Sequence, residues 1–264
     1  MTPSLEDHLR AARDAGRKSL LPYITGGYDE GWVDYLRAGA DAGADGFEIG
    51  IPFSDPVMDG TTIQIASDRA LKRGTTPQSV LDDVRRADIG VPLIAMTYVN
   101  IAYHAGYERF AYSLAEAGIC AAILPDLPLE ELGPWAEAAD RAGVETVLLA
   151  APTAPDERLP RICARARGFV YGVGLLGVTG VREQLAASAE LIAQRLKAVT
   201  DKPVIVGVGV STPQQAVQVC RSADGVAVGS AVVQRMVDGA GPEGVAALVR
   251  EFRAALDGAG PGVR

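Results

Sequence analysis

A (β/α)8 TIM barrel with an extra N-terminal helix is the fold class the sequence predicts, and three observations predict it. The chain has 264 residues, 48% of them hydrophobic, and barrels of this class need about 250 residues. Eight short apolar runs alternate with amphipathic stretches along the sequence. The runs are continuously apolar rather than alternating in polarity, which marks parallel strands covered on both faces. A doubly wound open sheet would share this pattern and is the structural alternative. No Pro/Gly/Ser-rich linker or low-complexity segment divides the chain, so residues 1–264 are expected to form a single domain.

Residues 1–17, MTPSLEDHLRAARDAGR, are charged and helical in pattern and open the chain as the extra helix. They contain no apolar core of signal-peptide length. SLLPYIT (19–25) is the first strand run. DAGADGFEIGIP (41–52), EAGICAAILPDLP (116–128) and RAGVETVLLAAP (141–152) share one plan. In each, Ala-Gly closes a helix, Gly supplying the left-handed cap. An apolar run follows, and then a proline that cannot continue a central strand. PLIAMTYV (92–99) falls between the first two of these units, and GFVYGVG (168–174), PVIVGVG (203–209) and DGVAVGS (224–230) complete the eight. Stretches such as GYERFAYSLAEAG and LEELGPWAEAADRAG supply the helices between strands. The segment 258–264, containing GAGPGV, reads as a flexible tail.

Charge and composition narrow the function. The net charge is −8, which argues against a nucleic-acid footprint and against an anionic membrane as partner. An anionic small molecule remains compatible, because a local site can oppose the global sign. No apolar run approaches the roughly 20 residues of a membrane span. Cys120, Cys163 and Cys220 are odd in number and widely spaced. They read as reduced, structural cysteines of a cytoplasmic protein rather than a disulfide framework or metal site. His8, in the polar N-terminal helix, and His104, in an expected loop, lack partners at metal-ligand spacing. Acid–base work therefore falls to carboxylates or tyrosines.

FEIGIPFSDPVMDG (47–60) places a carboxylate inside a strand that otherwise reads as buried. Side chains alternate faces along a strand, so Phe47, Ile49 and Ile51 share one face and Gly46, Glu48 and Gly50 the other. The bulky set should pack against helices, and Glu48 should point into the barrel with space left by the flanking glycines. A carboxylate so placed should have a raised pKa. Barrel active sites lie at the C-terminal strand ends, and Glu48 lies near one. A structural glutamate satisfied by a basic or hydroxyl partner is the alternative. Asp59 belongs to the following loop. On their own, Asp55 and Asp59 would pass for helix-capping residues.

The last two strands suggest a phosphate site. VGVGVSTPQQ (206–215) and VAVGSAVVQ (226–234) each join a strand to a helix through a glycine turn. Glycine permits close backbone approach and helix N-termini bind anions, and barrels often bind phosphate after strands 7 and 8. Ordinary strand-to-helix turn chemistry is the alternative. GLLGVTGVREQ (174–184) is a glycine-dense loop that could serve as a lid or a third phosphate donor.

From PYITGGY to VGSAVV the chain resembles the tryptophan synthase alpha chain family. The resemblance rests on EIGIPFSDPVMDG with the following IQ, the LPDLP turn, APTAPDERL, GVTG, and the GVGVST and VGSA turns. It implies retro-aldol cleavage of indole-3-glycerol phosphate to indole and glyceraldehyde 3-phosphate, with Glu48 and Asp59 catalytic and no cofactor or metal. It further implies phosphate ligands Gly180, Gly209, Gly229 and Ser230, an active-site tyrosine at Tyr171, and an aromatic position at Tyr23. Asn100 and Asp126 match positions active in the site or in communication with a beta chain, the implied partner in an alpha2-beta2 tetramer. Thr179, in the lid, is expected to bond towards Asp59. Departures occur at Gly174-Leu175-Leu176, at Thr61 and at Ser67, and they bear on partnering more than on chemistry. The alternatives are a stand-alone lyase, a weakly catalytic barrel that modulates a beta-type chain, or an isomerase or epimerase, which would not need SDPVMDG.

Overall fold

The computed structural model describes residues 4–174, 182–207 and 209–259, leaving out the side chains of 182–187. The chain runs α1 (Leu5–Asp14), β1 (Ser19–Thr25), α2 (Trp32–Asp41), β2 (Phe47–Gly50), α3 (Thr61–Lys72), α4 (Pro77–Arg86) and β3 (Leu93–Met96). It continues with α5 (Val99–Ala105), α6 (Tyr107–Glu116), β4 (Ala121–Ile123), α7 (Gly133–Ala142), β5 (Glu145–Ala150), α8 (Arg158–Arg165) and β6 (Val170–Val173). It ends with α9 (Arg182–Lys197), β7 (Val204–Gly207), α10 (Pro213–Val219), β8 (Gly225–Val228), α11 (Ser230–Val237) and α12 (Gly241–Gly258). The strands form one closed parallel barrel in sequence order, and β1 pairs with β8 from Ser19↔Gly225 onward. Closure rules out the open-sheet alternative.

Two corrections concern boundaries. The N-terminal helix begins at Leu5, capped by the Ser4 hydroxyl, and stops at Asp14 rather than Arg17, because Gly16 turns the chain with positive φ. α12 reaches Gly258 and so takes in the first residue of the expected tail, while residues 260–264 lie outside the described part. Extra helices stand between β2 and β3, between β3 and β4, and after β8. The second of these places His104 on α5 rather than in a loop. α4 opens with a Thr76–Ser79 capping box and Pro77 in its first turn.

Strand parity divides the core as expected. Phe47, Ile49 and Ile51 face outward into the layer packed against helices, with Trp32, Trp135 and Phe252. Leu21, Ile94, Ile123, Val147, Phe169 and Ile205 form a separate cluster within the barrel. Leu5 and Leu9 of α1 join that inner cluster and plug its N-terminal end. The plug is tied down by Glu145, whose carboxylate accepts the Leu5 amide at 2.6 Å and the Glu6 amide at 3.3 Å. Carboxylate at a helix start is favourable because the first amides lack helical partners.

Two Ala-Asp-Gly turns repeat one fastening. Asp45, just before β2, accepts the Leu20 amide at 2.8 Å, and Asp224, just before β8, accepts the Val204 amide at 2.9 Å. Each buried aspartate thus holds the neighbouring strand. Each also has cations: Arg17 at 2.7 Å and Arg253 at 3.2 Å on Asp45, and Lys197 at 2.9 Å on Asp224. Asp45→Ala should leave the Leu20 amide unpaired and the buried Arg253 with only Asp257 and the Lys18 carbonyl, at a cost of about 1–3 kcal/mol. Urea unfolding of the variant checks this. A loss below about 1 kcal/mol would show that the fastening contributes little.

Candidate active site

Glu48 lies in the middle of β2, in register with Tyr23 on β1 and Ile94 on β3. It is 2% exposed, and its Oε1 has no hydrogen-bond partner. The structural alternative, a glutamate satisfied by a basic neighbour, is therefore not what the barrel contains at this atom. Desolvation raises the Glu48 pKa to about 8, since a buried carboxylate loses hydration that nothing here replaces. Glu48 is thus largely a protonated acid at neutral pH.

The glycine beyond Glu48 does not leave empty space, as its sequence suggests. A Cβ on Gly50 would lie 1.7 Å from the Tyr23 hydroxyl, so the tyrosine occupies that place. The same arrangement recurs across the barrel, where a Cβ on Gly207 would lie 1.8 Å from the Tyr171 hydroxyl. Tyr23 pairs with Glu48 and leans over Gly50; Tyr171 pairs with Ile205 and leans over Gly207. Burial raises both phenol pKa values, so both hydroxyls keep their protons.

Asp59 ends the loop after β2. Burial raises its pKa, and the Tyr98 hydroxyl, as a donor, draws it back down. Tyr98 is a residue that sequence reasoning missed. It is buried at the start of α5, stacks on Phe53 with ring centroids 5.0 Å apart, and accepts the Met58 amide at 2.9 Å. Thr97 beside it donates to the Ile51 carbonyl at 3.2 Å. The end of β3 therefore holds the β2–α3 loop.

The opposite rim comes from the last two strands. Gly209, with φ of 88°, turns the chain in a conformation that favours glycine. Thr212 then caps α10 in a box with Gln215. Gly229 and Ser230 open α11, whose first amides point outward from the strand end. One cavity of about 260 Å³ is lined by Tyr23, Glu48, Asp59, Tyr171, Gly209, Ser211, Gly229 and Ser230, with Met58, Ile63, Met96, Leu149 and Val173 among its apolar walls. Carboxyls thus meet apolar walls at one end and glycine turns at the other.

Other expected residues fall elsewhere. Asn100 is exposed on α5 and is absent from that lining. Asp126 acts through the backbone, accepting the Val99 amide at 2.8 Å. Thr179, Gly180 and the Leu175–Leu176 pair lie outside the described residues. Among the described residues, no His/Cys/Asp/Glu group could hold a metal ion, and all three cysteines are unpaired.

Comparison with known proteins places this geometry in context. The sequence model of the tryptophan synthase alpha chain family matches residues 9–256. The tryptophan synthase alpha chain of Streptomyces coelicolor is 45% identical over 262 residues, covering 96% of this chain and 97% of that one. The alpha chain of Gloeobacter violaceus is 45% identical over 92% of this chain and 90% of its own. Among solved structures, tryptophan synthase of Mycobacterium tuberculosis superposes with a TM-score of 0.88 at 37% identity, covering 96% of this chain and 97% of that chain. Subunit alpha from Legionella pneumophila gives 0.87 at 34%, covering 96% and 98%.

The Glu48 pKa sets a stability test. Its folded value lies above its unfolded value, so between about 4.5 and about 8 the unfolded chain ionises first and stability falls as pH rises. Glu48→Gln removes this penalty. The variant should melt above wild type, with a gap that is small near pH 4.5 and widens towards pH 8, by at most about 1.4 kcal/mol per pH unit. Thermal unfolding across that range is the measurement, and a gap independent of pH would mean that Glu48 titrates normally.

Proposed function

We infer the function of this chain from its kinship: it belongs to the tryptophan synthase alpha chain family. It is a carbon–carbon lyase of tryptophan biosynthesis, the alpha subunit that cleaves indole-3-glycerol phosphate to indole and glyceraldehyde 3-phosphate. The residue roles proposed for it rest chiefly on one observation. A buried carboxyl that is protonated at neutral pH faces the same cavity as two glycine-opened turns.

In the proposed mechanism Glu48 gives its proton to the indole carbon that bears the glycerol side chain. Positive charge then develops on the ring nitrogen, and an ionised Asp59 accepts a hydrogen bond from that N–H and stabilises it. The Glu48 carboxylate next takes the proton of the side-chain hydroxyl. The carbon–carbon bond breaks, its electron pair returns to the ring, and indole and aldehyde separate. Glu48 ends protonated, as it began. Apolar walls favour the ring. Gly209, Gly229, Ser230 and their neighbouring helix amides are assigned to the phosphate, with Gly180 as a further ligand. Tyr23 and Tyr171 are assigned to the walls about the ring, and Asn100 and Thr179 to the rim, where Thr179 would bond to Asp59 on closure. These steps use side chains alone and call for no cofactor.

The family implies a beta-chain partner, and an alpha2-beta2 tetramer is the proposed assembly. The proposed compartment is the cytoplasm; no described helix is long and apolar enough to cross a membrane. A single domain over 1–264 is proposed on the strength of one closed barrel.

Indole release from indole-3-glycerol phosphate, with and without a beta chain, tests the assignment. Glu48→Gln should lower kcat on the order of 10²–10⁴-fold with the fold intact. Near-normal turnover would return Glu48 to a structural role. In wild type, kcat/KM should decline as pH rises through about 8, where free Glu48 loses its proton. Ser230→Asp, which sets like charge beside the anion, should weaken indole-propanol phosphate and glyceraldehyde 3-phosphate far more than free indole. Equal phosphate affinities by calorimetry would remove these turns from the site.

A further inference from the structure

Tyr98 has a polar group that packing alone does not explain. Its ring is 5% exposed and already anchored against Phe53. Phenylalanine would fill the same space. Yet the hydroxyl meets two consecutive residues of the β2–α3 loop: it accepts the Met58 amide at 2.9 Å and faces the Asp59 carboxyl group. Its well-formed hydrogen bond is the one from Met58. That bond uses an oxygen lone pair and leaves the hydroxyl proton free to turn towards Asp59. Near Asp59 the loop's main chain is held by Asp59 N–H to the Pro56 carbonyl at 3.1 Å and by the Gln64 side-chain Nε2, which donates to the Asp59 main-chain carbonyl at 2.8 Å. These fix the main chain and leave the carboxylate free to rotate.

We propose that Tyr98 is a positioning residue for Asp59: its hydroxyl, fixed by the Met58 amide, donates to the Asp59 carboxylate and holds it facing the cavity. The proposal rests on the assignment of Asp59 as the carboxylate that supports charge on the ring nitrogen. The base of Tyr98 is itself held. The next residue, Val99, gives its amide to Asp126 at 2.8 Å. A continuous path thus runs from the turn after β4, through Asp126, Val99 and Tyr98, to Asp59. A hydrogen bond that is loose in the free protein can tighten in the reacting complex, and the other groups facing this carboxyl support such a role. Tyr23 and Tyr98 both interact with it electrostatically, and both stay neutral because burial raises their pKa values.

Tyr98→Phe keeps the ring and removes the hydroxyl. It should lower kcat between about 10- and 100-fold, the scale of a catalytic group set loose by a fraction of an ångström to one ångström, with KM nearly unchanged. Because the hydroxyl favours ionised Asp59, its loss should also move the acid limb of the kcat/KM profile to higher pH. Incorporation of 3-fluorotyrosine at 98, a stronger donor of similar size, should move that limb to lower pH. A purely structural role would move neither limb. Asp59→Asn serves as the reference, and the double variant should be no slower than Asp59→Asn alone. If Asp59→Asn itself turns over normally, the role of Asp59 falls and this proposal with it. If Asp59→Asn is inactive while Tyr98→Phe keeps the wild-type kcat and acid limb, the proposal alone is overturned. Indole release from indole-3-glycerol phosphate by the full chain, with and without a beta chain, is the readout.

Discussion

A closed parallel barrel denies water to whatever points inward, and most of this molecule follows from that constraint. An inward side chain must be apolar, hydrogen-bonded or uncharged. Leu21, Ile94, Val147 and Ile205 meet the first condition. Tyr23 and Tyr171 fill glycine-sized gaps with aromatic surface while keeping their protons. Glu48 meets the last condition by holding its proton. The feature that makes Glu48 costly to bury is thus the one that makes it an acid at neutral pH. The lower mouth cannot stay open either, and α1 closes it with Leu5 and Leu9. The glycine turns stand at the opposite end, where they line the cavity.

The same constraint explains why the charged fastenings sit at the strand starts. Asp45 and Asp224 are buried, yet each is matched by an amide of the neighbouring strand and by at least one cation. The pairs link strand to strand at the edge of the barrel, away from its axis. Low dielectric there strengthens the pairing without placing charge beside Glu48. Electrostatics at the strand starts secures the frame, and an unpaired acid within β2 is left to the chemistry.

Much of this was legible in the sequence, because it depends on period and position. Two-residue alternation in GFEIGI sends Glu48 inward, and the Gly-x-Ser and Gly-Ser turns on the last two strands bring Gly209, Gly229 and Ser230 to the cavity lining. Contacts between distant segments were not legible. Tyr98 stands in an apolar run that reads as the end of a strand, and its partner Met58 lies 40 residues away. Gly50 reads as a gap until the structure shows the hydroxyl from the adjacent strand that fills it. Asn100 follows an apolar run and points to solvent, because α5 begins at Val99 and turns it outward. The Thr76–Pro77–Ser79 box was a local signal for α4, visible in GTTPQS.

The seat of α1 also has a consequence in time. The helix is synthesised well before Glu145, which caps it, and before Asp201 and Lys202, which bind Arg10 and Glu6. β1 likewise waits for β8 before its second edge is paired. Contacts of such long range must be closed against chain entropy, which slows folding and leaves strand edges open to wrong partners meanwhile. Strand β8 also leads into Gly229 and Ser230, which line the cavity on the side of the glycine turns. A chain that stops short of β8 can therefore hold Glu48 and Asp59 but cannot complete the cavity around them, so its two acids stand without the walls that enclose them.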